Sequence, residues 1–186
     1  MKRKYWKTNE EGYWEWEKTG EIFVFGLSNV SDDKIDDALN IINGVIKEFN
    51  LPLSVKNGNI HKNNDLRYIV DVVRKCSDKG KLDFNLLENE LYKLRNNQCI
   101  LSYGIVILVN DTEYCFKDPE AVYGSGSPEG LIVIRKMYIN KPTVRHEFGH
   151  MIGLGIHHEN CVMCYACNHE EFCSKCKEEI KEFWEL

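Results

Sequence analysis

The chain has 186 residues, 43% of them hydrophobic and 28% charged, with only 4 prolines, a composition that suits one folded domain able to bury its own core. Acidic residues outnumber basic ones, 29 to 24, for a net charge of −5, which argues against an electrostatic nucleic-acid surface. No apolar run approaches the roughly 20 residues of a membrane span, and the basic opening at residues 1–7 (MKRKYWK) has no hydrophobic stretch behind it, so no secretory signal is expected and the cytoplasm is the expected compartment.

Residues 1–20 interleave polar residues with Trp6, Tyr13, Trp14 and Trp16 and show no period. Residues 21–27 (EIFVFGL) predict a strand. Ser31 suits a helix cap, and the helix it opens is expected to run to about Asn50, with Ile35, Ala38, Leu39, Ile42, Val45, Ile46 and Phe49 on one face. Residues 51–55 predict a short strand ending at the Asn57-Gly58 turn signal. Helical spacing returns over 65–76, through Leu66, Ile69, Val70 and Val73, and over 84–96, through Leu87, Leu91 and Leu94. Residues 100–109 (ILSYGIVILV) form the strongest strand candidate, apolar enough to be buried on both faces. Residues 124–130 (GSGSPEG) lack the spacing of a phosphate loop and read as a turn leading into a strand at 131–135 (LIVIR). Strands and helices mixed in this order predict an α+β, α/β-like fold with a mixed sheet.

The remaining residues are compositionally skewed. Five of the six histidines and five of the eight cysteines lie between His146 and Cys176. Cys76, Cys99 and Cys115 are isolated and read as buried thiols packing as small hydrophobes. Cys161, Cys164, Cys167, Cys173 and Cys176 instead form repeated C-x-x-C pairs. In a reducing compartment that spacing suits thiolate ligation of zinc, four of the five filling a closed tetrahedron. Redox chemistry is the competing reading, and it gives no reason for repeated pairs.

A helix is expected at about 142–152, opened by Asn140-Lys141-Pro142-Thr143 with its proline in the first turn. It carries His146-Glu147-Phe148-Gly149-His150, an H-E-x-x-H pattern. Residues four apart share a helix face, so His146 and His150 can present two imidazoles to one metal ion, with Glu147 placed to act as a general base. Gly153 can then turn the chain out of the helix in a conformation that costs glycine little. His157 and His158 follow, and a third imidazole would complete three protein ligands with one position open.

The run from His146 through Gly153, a following histidine, Cys161-Val162-Met163 and the later Cys173–Cys176 pair resembles the archaemetzincin family of zinc metallopeptidases in the metzincin clan. The likeness covers the last third of the chain and extends upstream to 104–109, before Asn110-Asp111, and to the edge-strand region at 122–135. It implies a single metzincin-like domain, with subdomains 1–153 and 154–186, expected to be a monomer acting on a peptide or protein substrate as an endopeptidase or aminopeptidase-like hydrolase. It further implies two zinc ions per chain. His146 and His150 would bind the catalytic zinc with His157 as third ligand and His158 in reserve; Glu147 would be the general base, and Met163 the methionine packed beneath the metal. Cys161, Cys173 and Cys176 match positions of the family's structural zinc site. The fourth ligand there is open among Cys164, Cys167 and His158, with a thiolate preferred. Tyr165 is similar to a tyrosine that approaches the zinc in other metzincins, and an ordinary packed tyrosine is an equal expectation. In the family the third histidine stands three residues after the glycine, where this chain has Ile156, and the family's cysteine beside that histidine is absent. His61 and His169 match no role and are expected to be solvent-exposed or locally hydrogen-bonded. A non-catalytic or regulatory zinc-binding interaction protein is the alternative function.

Overall fold

The computed structural model describes residues 7–8, 14–15, 20–61, 63–96, 103–118, 123–127, 130–155, 157–164 and 168–186. Its first half contains β1 (Lys7–Thr8), β2 (Trp14–Glu15), β3 (Gly20–Gly26), α1 (Asp32–Glu48), β4 (Leu53–Asn57), α2 (Gly58–His61), α3 (Asn63–Lys75), β5 (Ser77–Asp78), β6 (Lys81–Leu82) and α4 (Phe84–Asn96). The second half contains β7 (Gly104–Val109), β8 (Cys115–Phe116), β9 (Gly124–Gly126), β10 (Leu131–Arg135), α5 (Lys141–Met151) and α6 (Ser174–Trp184). Five strands form one mixed sheet in the order β4-β3-β7-β10-β9, parallel throughout except for the antiparallel edge strand β9. Two smaller sheets, β1-β2 and β5-β6-β8, lie outside it. No helix among the described residues is long and apolar enough to cross a membrane.

All six residues of β7 are buried, and the period of two explains why. Val106 and Leu108 point into a core built with Ile35, Ala38 and Ile42 of α1, Val144 and Phe148 of α5, and Ile180 and Trp184 of α6. Ile105, Ile107 and Val109 point to the opposite core, with Ile69 and Val73 of α3 and Leu87 and Leu91 of α4. Helices cover the central sheet on both sides, as the doubly apolar strand requires.

Several expectations shift. The strand expected at 51–55 lies two residues later, because its parallel register against β3 pairs Leu53 with Gly20 and Asn57 with Val24; Asn57 ends it and Gly58 opens α2. The turn expected at 124–130 is corrected at its start, where Gly124–Gly126 pairs with β10. Cys76 is a buried free thiol, but Cys115 is exposed, correcting its place in a core. Cys99, Ile156, Tyr165 and Cys167 lie outside the described residues.

α5 begins as its sequence suggests. The Asn140 side chain accepts a hydrogen bond from the Thr143 backbone N–H at 2.9 Å, satisfying one orphan donor of the first turn. The helix is clamped by Arg145, a buried guanidinium that donates to Glu48 of α1 at 2.7 Å and to Glu171 at 3.2 Å and stacks over the Phe172 ring at 4.8 Å. Two residues past its end the chain turns away at Gly153, whose φ of +120° lies in a region that L side chains rarely adopt, and a Cβ there would stand 2.7 Å from the Phe183 ring. Gly153→Ala is therefore expected to lower stability by roughly 1–3 kcal/mol, read as a drop in the urea midpoint. An unchanged midpoint would show that turn and ring relax freely.

Candidate metal centres

α5 presents His146 and His150 one turn apart, and the chain beyond Gly153 brings His157 to meet them. Ring centroids are separated by 5.0, 5.0 and 4.9 Å, and one nitrogen from each ring lies within 4.8 Å of the others. His146 Nδ1 is 2.8 Å from the Val162 carbonyl oxygen and His150 Nδ1 is 2.8 Å from that of Leu154. A carbonyl only accepts, so both Nδ1 atoms carry the proton, which leaves each Nε2 as the ring's lone-pair nitrogen. The Nε2 atoms of His146 and His157 are 3.2 Å apart. Two nitrogens at zinc-ligand distance in a tetrahedron would be about 3.3 Å apart, so the spacing fits a shared zinc ion. Burial, then the neighbouring His150 and His157, push the His146 imidazole down to about 4, against the opposing bond to Val162. Burial, then His150 and His158, also lower His157. Both shifts favour the neutral imidazole, the form that ligates, at His146 and His157.

Glu147 is buried, 7% exposed, and lies against β9. A Cβ at Gly124 would be 3.2 Å from its Cγ and Oε1, and a Cβ at Gly126 would be 2.6 Å from its carbonyl oxygen and 3.0 Å from Oε2. Two glycines in alternate positions on the edge strand make room for this carboxyl. Burial pushes it up to about 8. The Gly124 and Gly126 contribution was missed from sequence; glycines at i and i+2 just before a strand were the available signal.

The second group contains His158, Cys161, Cys173 and Cys176, again with donor atoms within 4.8 Å of one another. Cys161 and Cys176 sulfurs are 3.7 Å apart and those of Cys173 and Cys176 3.5 Å. His158 Nδ1 stands 3.1 Å from the Cys176 sulfur and 3.5 Å from that of Cys173. Tetrahedral zinc with protein sulfur and nitrogen ligands would set these edges at about 3.8 and 3.6 Å, so the donor set fits a closed site. Burial pushes the Cys176 thiol up, as do its Cys173 and Cys161 neighbours. For Cys173 burial also opposes ionisation, but the Cys176 backbone N–H, His158 and the two neighbouring thiols outweigh it and bring the group to about 7. Cys164, preferred from sequence together with Cys167, is not in this group, and the donor beside the three thiols among the described residues is the His158 imidazole. His61 and His169 are exposed and belong to neither group.

The two groups are stitched together by a turn in which the Cys164 N–H donates to the Cys161 carbonyl at 2.9 Å. Within it the Met163 N–H donates to the Cys161 sulfur at 3.3 Å, and the Val162 carbonyl receives His146. Met163 itself is fully buried. Its sulfur would lie 2.5 Å from a Cβ at position 149, so Gly149, between the two helix histidines, lets the methionine approach beneath them. The helix α6, which carries Cys176, was also missed from sequence, although Cys176, Ile180 and Trp184 are buried at a spacing of four.

No family model and no curated protein matches the sequence. Among solved structures, the crystal structure of archaemetzincin from Methanopyrus kandleri is similar over 91% of this chain and 97% of that one, with a TM-score of 0.60 and 14% sequence identity. The likeness shows the fold, the α/β architecture with a mixed sheet that the sequence suggested.

Proposed function

We propose that this chain is a zinc-dependent peptidase with a second, structural zinc site. The observation that carries the reading is the convergence of His146, His150 and His157 beside the buried Glu147. Zinc held by three imidazoles supplies Lewis-acid polarisation of a substrate carbonyl. The chain's own residues do the rest. Glu147 takes a proton from the attacking water as the carbon–oxygen bond forms, and returns it to the leaving amine nitrogen as the carbon–nitrogen bond breaks. The glycines of β9 hold that carboxyl against the sheet edge. The outer edge of the same strand offers backbone groups on which an extended peptide can pair, as in other strand-addition complexes. His158, Cys161, Cys173 and Cys176 would hold the structural zinc, four protein donors with no corner left for substrate.

Metal analysis of the purified chain tests this. Two zinc ions per chain are expected, falling to one when His146 and His150 are both replaced by alanine, with hydrolysis of an unfolded protein substrate lost in the same variant. A wild-type chain that holds a single zinc bound through thiolates would overturn the enzyme reading.

A further inference from the structure

Two of the imidazoles at these centres, His146 and His150, differ from His158 in one respect that bears on the closed site. His146 and His150 each direct the nitrogen away from the group at a carbonyl 2.8 Å distant, the usual arrangement that fixes a ligating ring. His158 directs Nδ1 at the Cys173 and Cys176 sulfurs. Its Nε2 is buried and makes no hydrogen bond among the described residues. With Nδ1 committed to a metal, Nε2 must carry the ring's proton, and a buried N–H without an acceptor is costly. One acceptor is close: Glu179 Oε1, on α6 one turn beyond Cys176, stands 3.6 Å from Nε2, with the carboxylate 33% and the imidazole 11% exposed. The gap is slightly longer than a hydrogen bond, and a partly exposed glutamate can close it by rotating its side chain.

We propose that Glu179 is a positioning residue for the closed site: its carboxylate accepts the His158 Nε2–H and holds Nδ1 toward the three sulfurs. The role rests on the reading of His158, Cys161, Cys173 and Cys176 as a zinc site. α6 then contributes twice to one centre, a thiol from Cys176 and an orienting carboxylate from Glu179. They stand three positions apart, so both face the same side of the helix.

The test uses the full-length protein with cobalt replacing zinc, followed by competition with a chelator. Thiolate-to-cobalt charge-transfer absorption reports only the closed site, because the other group has no sulfur donor. The wild type is expected to show that band; its absence overturns the zinc-site reading itself, and with it the role of Glu179. Given the band, Glu179→Ala is expected to weaken metal retention at the thiolate site about 10–100-fold. Glu179→Gln, which keeps an accepting oxygen, is expected to stay within a few fold of wild type. Glu182→Ala, an exposed change on the same helix, is the control and is expected to retain metal fully. Wild-type retention in Glu179→Ala overturns the proposal alone. So does an equal loss in Glu179→Gln, or in Glu182→Ala, which would mark an effect of charge or of helix stability.

Discussion

Glu147→Gln is expected to lower peptide hydrolysis by about 10²–10⁴-fold, the usual contribution of a positioned general base, while leaving zinc content unchanged. The two halves of that expectation have separate causes. Glutamine matches glutamate in volume and fits the space that Gly124 and Gly126 leave, so neither β9 nor α5 needs to move. Its amide cannot take a proton from water near neutral pH. His146 and His150, two of the three imidazoles that would hold the metal, keep their carbonyl partners, because neither Val162 nor Leu154 contacts the base through these bonds. Zinc loss in this variant would place Glu147 among the ligands and contradict the assignment.

The same variant carries an opposite expectation for stability. Burial raises the carboxyl from 4.5 to about 8. A carboxyl raised on folding favours the fold below its unfolded value and loses that advantage as pH rises through its folded value. At about 1.36 kcal/mol per unit, the window from pH 4.5 to 8 corresponds to a few kcal/mol at most, on the order of 4. A cation at the neighbouring imidazoles would offset much of it. In protein stripped by a chelator, Glu147→Gln is expected to be more stable than wild type at pH 8 and to lose that advantage by pH 4. Thermal melts at the two pH values check the sign; an equal gap at both would show that the carboxyl does not titrate with folding. A buried base that destabilises the resting fold is the trade that catalytic positions commonly make.

How far the site was legible depends on what kind of information each part needs. Helix periodicity places His146 and His150 on one face without any knowledge of the fold, and Gly153 announces the turn. The strand at 131–135 and the helices at 84–96 and 32–48 are equally local, set by runs of apolar side chains with a clear period. β4 shifted because its ends are set by pairing with β3, a partner 33 residues away in register. Glycine and serine carry no strand propensity of their own, so residues 124–126 read locally as a turn while the family resemblance implies an edge strand over 122–135; pairing with β10 and clearance for Glu147 make them β9. The fourth corner of the thiolate group was the hardest. Spacing counts cysteines, and five candidates for four places gave no reason to prefer an imidazole. Only the direction of the chain after Gly153 separates His157 from His158 and turns one ring toward α5 and the other toward α6.

That divergence leads to the largest expected effect on metal content. Cys176→Ser is expected to lower zinc at both sites, whereas His150→Ala removes only one ion. His157 and His158 are joined by a single peptide bond, yet their rings belong to different groups. Fixing His158 among the sulfurs therefore also fixes the backbone that delivers His157 to His146 and His150. Without Cys176 the closed site loses its most buried thiol, His158 loses its nearest sulfur, and the third imidazole of the open site loses its anchor. Linkage makes the coupling free energy the same in both directions, so the asymmetry must come from the starting affinities. A closed site with three thiolates binds with an apparent free energy of about 10–16 kcal/mol, and losing a coupling of roughly 1–3 kcal/mol leaves it filled. An open site with three imidazoles begins weaker and empties under the same loss. The variant should remain folded, because α6 is still held by Ile180 and Trp184 in the core, with the Trp184 indole donating to the Ile152 carbonyl at 3.1 Å. Zinc titration of folded Cys176→Ser protein decides the matter: unchanged affinity at His146, His150 and His157 would show that the two centres are independent despite their shared peptide bond.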